Sequence, residues 1–279
     1  MSIDEYRRRE RAHFLRRRRE NVAPTDVGLP EGVRRRTPGL RREEVAVLAG
    51  VSPTWYTYLE QARDVSPSPE VLDGLAEVLG LTPYERSYLH SLSRQGSCHE
   101  PRIGCLAESW KPLEDVVNHL HSSPAYICSE YGDLLSWNEA AAEWLMDFGG
   151  VPESRRNILL WLLTSESAPD RLVEWEDRAR HWVARFRAEV PDWRASTRTS
   201  FLVRELSKAS PHFHFWWEEH QVAGPEASVF HLRHPHRGIM AVRTVELLHT
   251  DPTGTARLIV HTPLGEIREE PALSARPCP

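Results

Sequence analysis

The chain has 279 residues, of which 40% are hydrophobic and 27% charged, and its formal net charge is −5. This composition is typical of a soluble globular protein with one large domain or two ordinary ones. The longest uninterrupted apolar run, residues 158–163, is far shorter than the roughly 20 residues of a membrane span, and charges from Asp4 onward disfavour a secretory signal. Four cysteines in a chain of this length do not predict a disulfide framework, so we expect a cytoplasmic protein without a membrane partner.

The charge is distributed unevenly along the chain. Residues 1–50 contain 13 arginines and 8 acidic side chains, whereas residues 51–96 have a net charge of −3 and the remainder a net charge of −7. A basic N-terminal part on an otherwise acidic chain indicates nucleic-acid contact by that part alone.

The N-terminal third predicts a bundle of five helices. Apolar periodicity and helix-start residues place these helices at residues 2–20, 41–49, 53–63, 66–80 and 82–93. The Pro- and Gly-rich residues 21–40 form a loop with a basic run. In the second helix we place Val45, Leu48 and Ala49 on the buried face.

The turn between the second and third helices carries the functional pattern. Gly50 fits a left-handed helix end, and Ser52 fits an N-cap with Pro53 at the first helical position. Trp55 or Tyr56, with Leu59, faces inward. The outward side chains are three and four residues apart, so they form one stripe, which we call the recognition stripe: Thr54, Thr57, Tyr58 and Gln61.

The recognition stripe and the arginines before it suit DNA. Threonine and tyrosine can hydrogen-bond base edges or phosphates, and a threonine methyl can pack on thymine. Arg41 and Arg42 begin the second helix, which in such a pair crosses the DNA backbone, so we expect them to hold phosphates. Glu44 is expected to pair with an arginine of the first helix. The predicted DNA-binding residues are Arg34, Arg35, Arg36, Arg41, Arg42, Ser52, Thr54, Thr57, Tyr58 and Gln61. The alternative is a helical bundle that binds another protein, with solvated arginines.

The second half of the chain predicts an α+β domain after a linker at residues 97–110. Two short strands lie within residues 125–138, and three more are expected near 228–234, 239–248 and 255–261, the last two joined by the hairpin "HTDPTGT". Helical patterns between them cover residues 139–148, 155–163, 169–190, 197–208 and 211–220. This order predicts a small antiparallel sheet with a helical insert.

Several motifs resemble one family of bacterial regulators. "RRRTPGLRREEVA" and "VSPTWYTYLEQ" resemble the Xre-type helix-turn-helix domain of MmyB-like transcription regulators. "PAYICSEYGDLLSWNEAAAEWL", "RRNILLWLL", "SPHFHFWWEEHQV" and "LRHPHRGIM" are similar to the C-terminal domain of that family. The resemblance implies a helix-turn-helix domain at residues 1–96 and a PAS-like ligand-binding domain with an apolar cavity at residues 111–275. One departure is Ala62, which stands where the family usually has glycine and leaves open a third helix longer by one residue.

The C-terminal domain is rich in tryptophan: Trp137, Trp144, Trp161, Trp175, Trp182, Trp193, Trp216 and Trp217. Such aromatic lining with a few polar groups is typical of a pocket for an apolar small molecule, although each tryptophan alone could be ordinary core. The resemblance implies a lipophilic ligand such as a fatty-acyl chain. The predicted ligand-binding residues are Trp137, Asn138, Asn157, Trp161, Trp216 and His234.

The sequence gives little indication of a metal site, a flavin site or a catalytic site. Histidines cluster at 212, 214 and 220 and again at 231, 234 and 236, but neither group has the spacing of a known zinc motif. Cys128 lacks a motif that would make it a flavin-reactive thiol, and no catalytic triad or phosphate-binding glycine loop is evident. We therefore expect no metal, no cofactor and no catalytic residues.

The sequence thus predicts a two-domain transcription regulator rather than an enzyme. It would bind operator DNA as a homodimer, with two recognition helices in successive major grooves, and would respond to an apolar effector. The alternatives are an enzyme whose His- and Trp-rich half is catalytic, and a protein-interaction module.

Overall fold

The structure is a computed structural model that describes residues 2–30, 39–93, 110–191, 193–194, 196–225, 229–251 and 254–266. It divides into two compact units, the first comprising residues 1–100 and 180–224 and the second residues 101–179 and 225–279. Residues 180–224, which the sequence assigned to the C-terminal domain, therefore group with the N-terminal helices; we call them the insert. The predicted Arg34, Arg35 and Arg36 and nearly all of the linker lie outside the described residues.

All five predicted N-terminal helices are present. Their bounds are α1 Ile3–Asn21, α2 Arg42–Leu48, α3 Pro53–Glu60, α4 Pro69–Val78 and α5 Pro83–Ser91, with a 3-10 helix at Pro24–Val27 inside the expected loop. Ser52 caps α3 as predicted, with Pro53 in the first turn. Ser68 and Thr82 cap the next two helices in the same way, so α4 begins at Pro69 rather than at the predicted residue 66.

The buried face of α2 differs from the prediction. Val45 and Ala46 are fully buried in the core of the first unit, whereas Leu48 is 41% and Val47 73% exposed. A helix advances about 100° per residue, so a buried face centred on positions 45, 46 and 49 leaves position 48 at its edge. Placing Leu48 inward was therefore wrong.

The second unit has the predicted α+β architecture. Its described strands are β1 Ala125–Ser129, β2 Leu134–Trp137, β3 Val229–His234, β4 Gly238–Asp251 and β5 Gly254–Glu266. They form an antiparallel sheet in the order β2-β1-β5-β4-β3. The accompanying helices are α6 Lys111–His119, α7 Glu139–Trp144, α8 Ile158–Thr164 and α9 Ser167–Arg171. The predicted PAS-like fold, a small sheet with helices packed on it, is confirmed, although α6 was not foreseen.

The predicted helix at residues 169–190 is interrupted. The structure ends α9 at Arg171, and α10 begins only at Trp175 and runs to Glu189. Between them Leu172 forms a bridge with Leu232 of β3, and the Val173 amide donates to the His231 carbonyl. These sheet-like hydrogen bonds compete successfully with helix formation, so the expectation of one continuous helix was wrong. The insert continues with α11 Thr197–Ala209 and α12 Pro211–Glu218.

The described helices include none that is long and apolar enough to span a membrane.

The end of α3 is a left-handed turn at Ala62, which has φ of 57°. The Ala62 amide donates to the Leu59 carbonyl and the Arg63 amide to the Tyr58 carbonyl, which is the hydrogen-bond pair of a Schellman motif. The extension of α3 left open by the sequence does not occur, because these two bonds satisfy the carbonyls of the last turn. Gly50 closes α2 in the same way with φ of 68°.

We expect Ala62→Gly to raise the free energy of unfolding by about 1 kcal/mol, because glycine adopts a positive φ without the Cβ clash that alanine has. The matched control is Gly50→Ala, where an added Cβ would meet no atom within 4 Å, so that the backbone penalty acts alone. This variant should lower the free energy of unfolding by about 1 kcal/mol in urea titrations. Equal stability of Ala62→Gly and the wild type would contradict the assignment of strain to Ala62.

Candidate nucleic-acid interface and ligand-binding domain

The recognition stripe lies on the outer side of α3. Thr54 and Gln61 are exposed and Thr57 and Tyr58 half-buried, while Tyr56 and Leu59 are fully buried on the opposite side. The structure thus brings the predicted stripe together on one accessible face and resolves the inward aromatic as Tyr56.

Hydrogen bonds within α3 determine what the stripe can offer a ligand. The Ser52 Oγ accepts from the Trp55 amide at 3.1 Å, and the Thr57 hydroxyl donates to the Pro53 carbonyl at 2.8 Å. Ser52 therefore keeps its hydroxyl proton, and Thr57 keeps its methyl group and an acceptor oxygen, for contacts outside the helix.

Arg63 joins the end of the stripe, which the sequence analysis did not foresee. Its guanidinium lies 4.4 Å from the centre of the Tyr58 ring, and its Nε donates to Gln61 Oε1 at 3.1 Å. Because the left-handed turn at Ala62 reverses the chain, Arg63 returns over the last helical turn. The stripe therefore ends in a positive charge held by a cation–π contact.

The orientation of α3 depends on a buried carboxylate, Glu60, whose side chain is completely inaccessible to solvent. Arg19 of α1 binds it with two nitrogens, Nε to Oε1 at 2.6 Å and Nη2 to Oε2 at 3.2 Å, and also donates to the Leu40 carbonyl at 2.8 Å. Arg42 of α2 donates from Nε to Glu60 Oε2 at 2.7 Å. One carboxylate thus joins α1, the start of α2 and the end of α3.

Glu60 remains charged in this environment. Burial alone would raise its pKa, but the hydrogen bonds from Arg19 and Arg42 outweigh burial and hold the pKa below its usual value. Glu44 has a different role, because its Oε2 accepts from the Arg41 amide at 2.7 Å and closes the first turn of α2.

The predicted phosphate anchors lie beside a basic cleft. Arg41 is exposed, and the Arg42 side chain is 41% exposed although its Nε is bound to Glu60. The cleft has a volume of about 430 Å³, is open to solvent, and is lined by Arg16, Arg19, Glu20, Arg41, Arg42 and Glu43. Three of these arginines are paired, Arg19 and Arg42 with Glu60 and Arg16 with Glu20 at 2.9 Å. With Glu60 counted, the four arginines exceed the three glutamates by one positive charge, which favours an anion.

Two of the predicted ligand-binding residues are engaged by the fold instead. The buried Asn138 caps α7 by accepting from the Ala141 amide at 2.8 Å, and its amide nitrogen donates to the carbonyls of Leu120 and Ser123 at 2.7 and 2.9 Å. Both amide hydrogens of Asn138 are therefore occupied by backbone, so Asn138 holds the fold here, and its expected contact with a ligand stays a prediction.

Asn157 is engaged in the same manner. It is fully buried, caps α8 by accepting from the amides of Leu159 and Leu160, and donates to the Tyr131 carbonyl at 2.9 Å and to Asp133 at 2.8 Å. Its side chain holds the β1–β2 turn against α8, and its expected ligand contact likewise stays a prediction.

The predicted aromatic residues are only partly brought together. Trp137 and Trp161 lie on either side of Phe148, with ring centres 5.7 and 6.2 Å from it, and the Arg156 guanidinium lies 5.7 Å from the Trp137 ring. Trp216 is buried in α12 and belongs to the first compact unit, whereas Trp137 and Trp161 belong to the second.

One face of the sheet carries polar groups that the sequence analysis missed. Register places His261 of β5 opposite Thr244 of β4, and the His261 ring contacts Phe230 and Tyr126 at 5.3 and 5.8 Å. Burial and then the charge of Arg178 lower the pKa of His261 to about 3, so the imidazole is neutral at pH 7. On the same face Arg257 lies 3.4 Å from Glu246. These residues could be identified as neighbours only from the strand register, which the sequence does not give.

His234, the remaining predicted residue, is buried at the end of β3. Its ring lies 4.7 Å from the ring of Trp144, and its Nδ1 accepts from the His236 amide at 3.0 Å. Burial lowers the pKa of His234, which favours a neutral imidazole. Among the described residues no group of histidine, cysteine, aspartate and glutamate side chains could hold a metal ion.

Comparison with known proteins identifies both units. Residues 10–89 match the model of a helix-turn-helix domain, and the fold and exposed stripe described above define a DNA-binding domain of that class. Residues 111–274 match the model of the MmyB-like transcription regulator ligand binding domain. The chain therefore belongs to the MmyB-like transcription regulators, with a DNA-binding domain followed by a ligand-binding domain. No curated protein matched the chain.

We expect Glu60→Gln to lower the free energy of unfolding by about 3 kcal/mol, because it leaves the buried Arg19 without its counter-ion. Chemical denaturation of the full chain measures this change. The control is Glu5→Gln, which removes the exposed ion pair with Arg9 (2.7 Å) and should cost less than about 0.5 kcal/mol. Similar losses for the two variants would show that Glu60 does not hold α3 in place.

Proposed function

We propose that this protein regulates transcription by binding operator DNA as a homodimer through α3, and that an apolar, fatty-acyl-like molecule bound by its C-terminal domain controls this binding. The observation that carries the proposal is the exposed recognition stripe on a helix whose other side is fixed by Glu60.

The recognition stripe supplies the chemistry for base readout. Thr54 and Gln61 are exposed at opposite ends of α3, and Tyr58 lies between them under Arg63. A helix placed in the major groove would present these side chains to base edges, and the Thr54 and Thr57 methyls suit thymine.

The basic cleft supplies the chemistry for phosphate contact. Arg41 and Arg42 begin α2, and Arg16 adds a guanidinium from the end of α1. Because phosphate contacts fix the position of a protein on DNA without reading sequence, these arginines would set the register of α3 in the groove. Two copies related by a two-fold axis would read half-sites about 34 Å apart.

The proposed ligand site lies on the polar face of the sheet and the aromatic cluster beside β2. Of the predicted residues Trp137, Trp161 and His234 remain candidates, and we add Tyr126, Phe230 and His261. A set of aromatic rings with a neutral histidine suits a long apolar molecule with one polar end. An effector that binds one state of the protein better than another changes operator affinity by the ratio of the two affinities.

We expect Thr54→Ala and Tyr58→Ala each to weaken binding to the operator by about 1–3 kcal/mol while leaving binding to scrambled DNA unchanged. The operator is first selected from a random duplex pool, and fluorescence anisotropy measures both affinities over a series of salt concentrations.

The contrasting variant for this experiment is Arg41→Ala, which should weaken both complexes equally and reduce the salt slope by about one ion. Arg42→Ala is unsuitable because Arg42 also binds Glu60. Equal losses on operator and scrambled DNA for Thr54→Ala would refute base readout by the stripe.

We expect dodecanoic acid to change the tryptophan fluorescence of the full chain in a saturable manner. Decanoic acid, shorter by two methylene groups, should bind about 15-fold more weakly, since each buried methylene contributes about 0.8 kcal/mol. Dodecanol, which has the same chain, tests the contribution of the carboxylate. Binding that does not depend on chain length would contradict an apolar site.

A further inference from the structure

The first compact unit contains a second buried carboxylate, Glu10 of α1. Three donors converge on its Oε1: the Tyr88 hydroxyl at 2.9 Å, the His220 Nδ1 at 2.9 Å, and Nη1 of Arg187. The Arg187 side chain is 2% and the Glu10 side chain 8% exposed. Glu10 and Tyr88 belong to the helix-turn-helix match, whereas Arg187 and His220 belong to the insert. We call these four residues the clasp.

Arg187 is held from the insert side as well. Its Nη2 donates to the Trp217 carbonyl, and its guanidinium lies 3.9 Å from the centre of the Trp217 ring. Burial would raise the pKa of Glu10, but the charge of Arg187 and the hydrogen bond with His220 outweigh burial and lower the pKa to about 2. Glu10 and Arg187 are therefore both charged at neutral pH, and each depends on the other in a site closed to water.

Apolar contacts extend the attachment around the clasp. Val222 is part of the hydrophobic core formed by α1–α5, and Ala188 packs against that core. A Cβ at Gly224 would lie 2.2 Å from the Tyr84 ring at the start of α5, so the backbone there is in close contact with the aromatic side chain. The insert thus covers α1 and α5 with both a buried ion pair and core side chains.

The family models assign this segment differently from its contacts. The insert lies within residues 111–274, which match the ligand-binding domain, yet its core contacts are with residues 10–89, which match the helix-turn-helix domain. A buried ion pair contributes little net stability but penalises partly formed arrangements strongly, because either charge alone is costly to bury. Such a contact suits a cover that is either docked or released as a whole.

We propose that residues 180–224 are a releasable cover of the DNA-binding domain, fastened by the clasp, and that docking of this cover transmits the state of the ligand-binding domain to operator binding. The regulatory part rests on the proposed function. The cover itself is an internal interaction surface whose partner is a segment of the same chain.

Hydrogen-exchange mass spectrometry of the full chain, without DNA or ligand, tests the cover. Glu10→Gln keeps the shape of the side chain but leaves Arg187 buried without a counter-ion. We expect exchange in α11 and α12 to rise about 100-fold, together with a rise in α1 and α5. Unchanged exchange in α11 and α12 would overturn the proposal.

Two further variants separate release from general damage. Arg180→Gln removes the exposed ion pair with Glu219 (2.6 Å), which lies within the insert and outside the clasp, and should leave exchange unchanged. The double variant Glu10→Gln/Arg187→Met removes both charges, so its exchange should return towards that of the wild type. Additive effects of the two substitutions would overturn the clasp as a specific contact.

Operator affinity tests the regulatory part. We expect Glu10→Gln to change the affinity at least fivefold, although Glu10 is not among the proposed DNA contacts, while Arg180→Gln stays within twofold of the wild type. In the wild type the operator should also alter exchange in α11 and α12, and this effect should be absent in Glu10→Gln. Unchanged affinity in Glu10→Gln would overturn transmission through the clasp. Failure of the wild type to bind any operator would refute the proposed function and with it the transmission, whereas the exchange data would still decide the docking.

Discussion

The position of α3 depends on one buried carboxylate. Glu60 receives two hydrogen bonds from Arg19 of α1 and one from Arg42 of α2, and no other side chain in the last turn of α3 is both charged and inaccessible within the described residues. Because a buried carboxylate loses its hydration, it is tolerated only where such donors replace the lost water. The arrangement therefore fixes α3 at a defined angle. The orientation of the exposed recognition stripe is set by these contacts on the opposite side of the helix.

The helices α2 and α3 are short. Each helix has at most eight residues and ends in a left-handed turn, at Gly50 and at Ala62. Isolated helices of this length are unstable in water, so their stability comes from packing and from the ion pairs rather than from helix propensity. The left-handed turn at the strained Ala62 also places Arg63 over the Tyr58 ring, because the chain reverses there.

Local features were predictable from the sequence, and distant pairings were not. Periodicity, the Ser52–Pro53 cap and the i, i+3, i+4 spacing of the stripe predicted the five helices and the exposed face of α3. Leu48 was misplaced because a seven-residue helix has too few positions to define its buried face.

Asn138 and Asn157 each precede a helix, a position typical of an N-cap, and both cap their helices in the structure. The contacts of Glu10 with Arg187 and of His261 with Phe230 join residues far apart in sequence, and no periodicity encodes them.

The first unit has three buried carboxylates among its described residues, Glu10, Glu60 and Glu85, and α1 takes part in all three sites, since Glu85 pairs with Arg18 of that helix. Glu10 in the middle of this helix is bound to the insert, and Arg19 near its end is bound to Glu60 of α3, nine residues or about 14 Å further along the axis. A continuous helix transmits a shift along its length with little deformation, whereas loops absorb it. A change in the docking of the insert would therefore reach Arg19 through α1. Arg19 binds Glu60 of α3, and lengthening this contact would leave a buried charge unpaired. On this reasoning α1, which carries none of the predicted base contacts, would be the element that relates the insert to the recognition stripe.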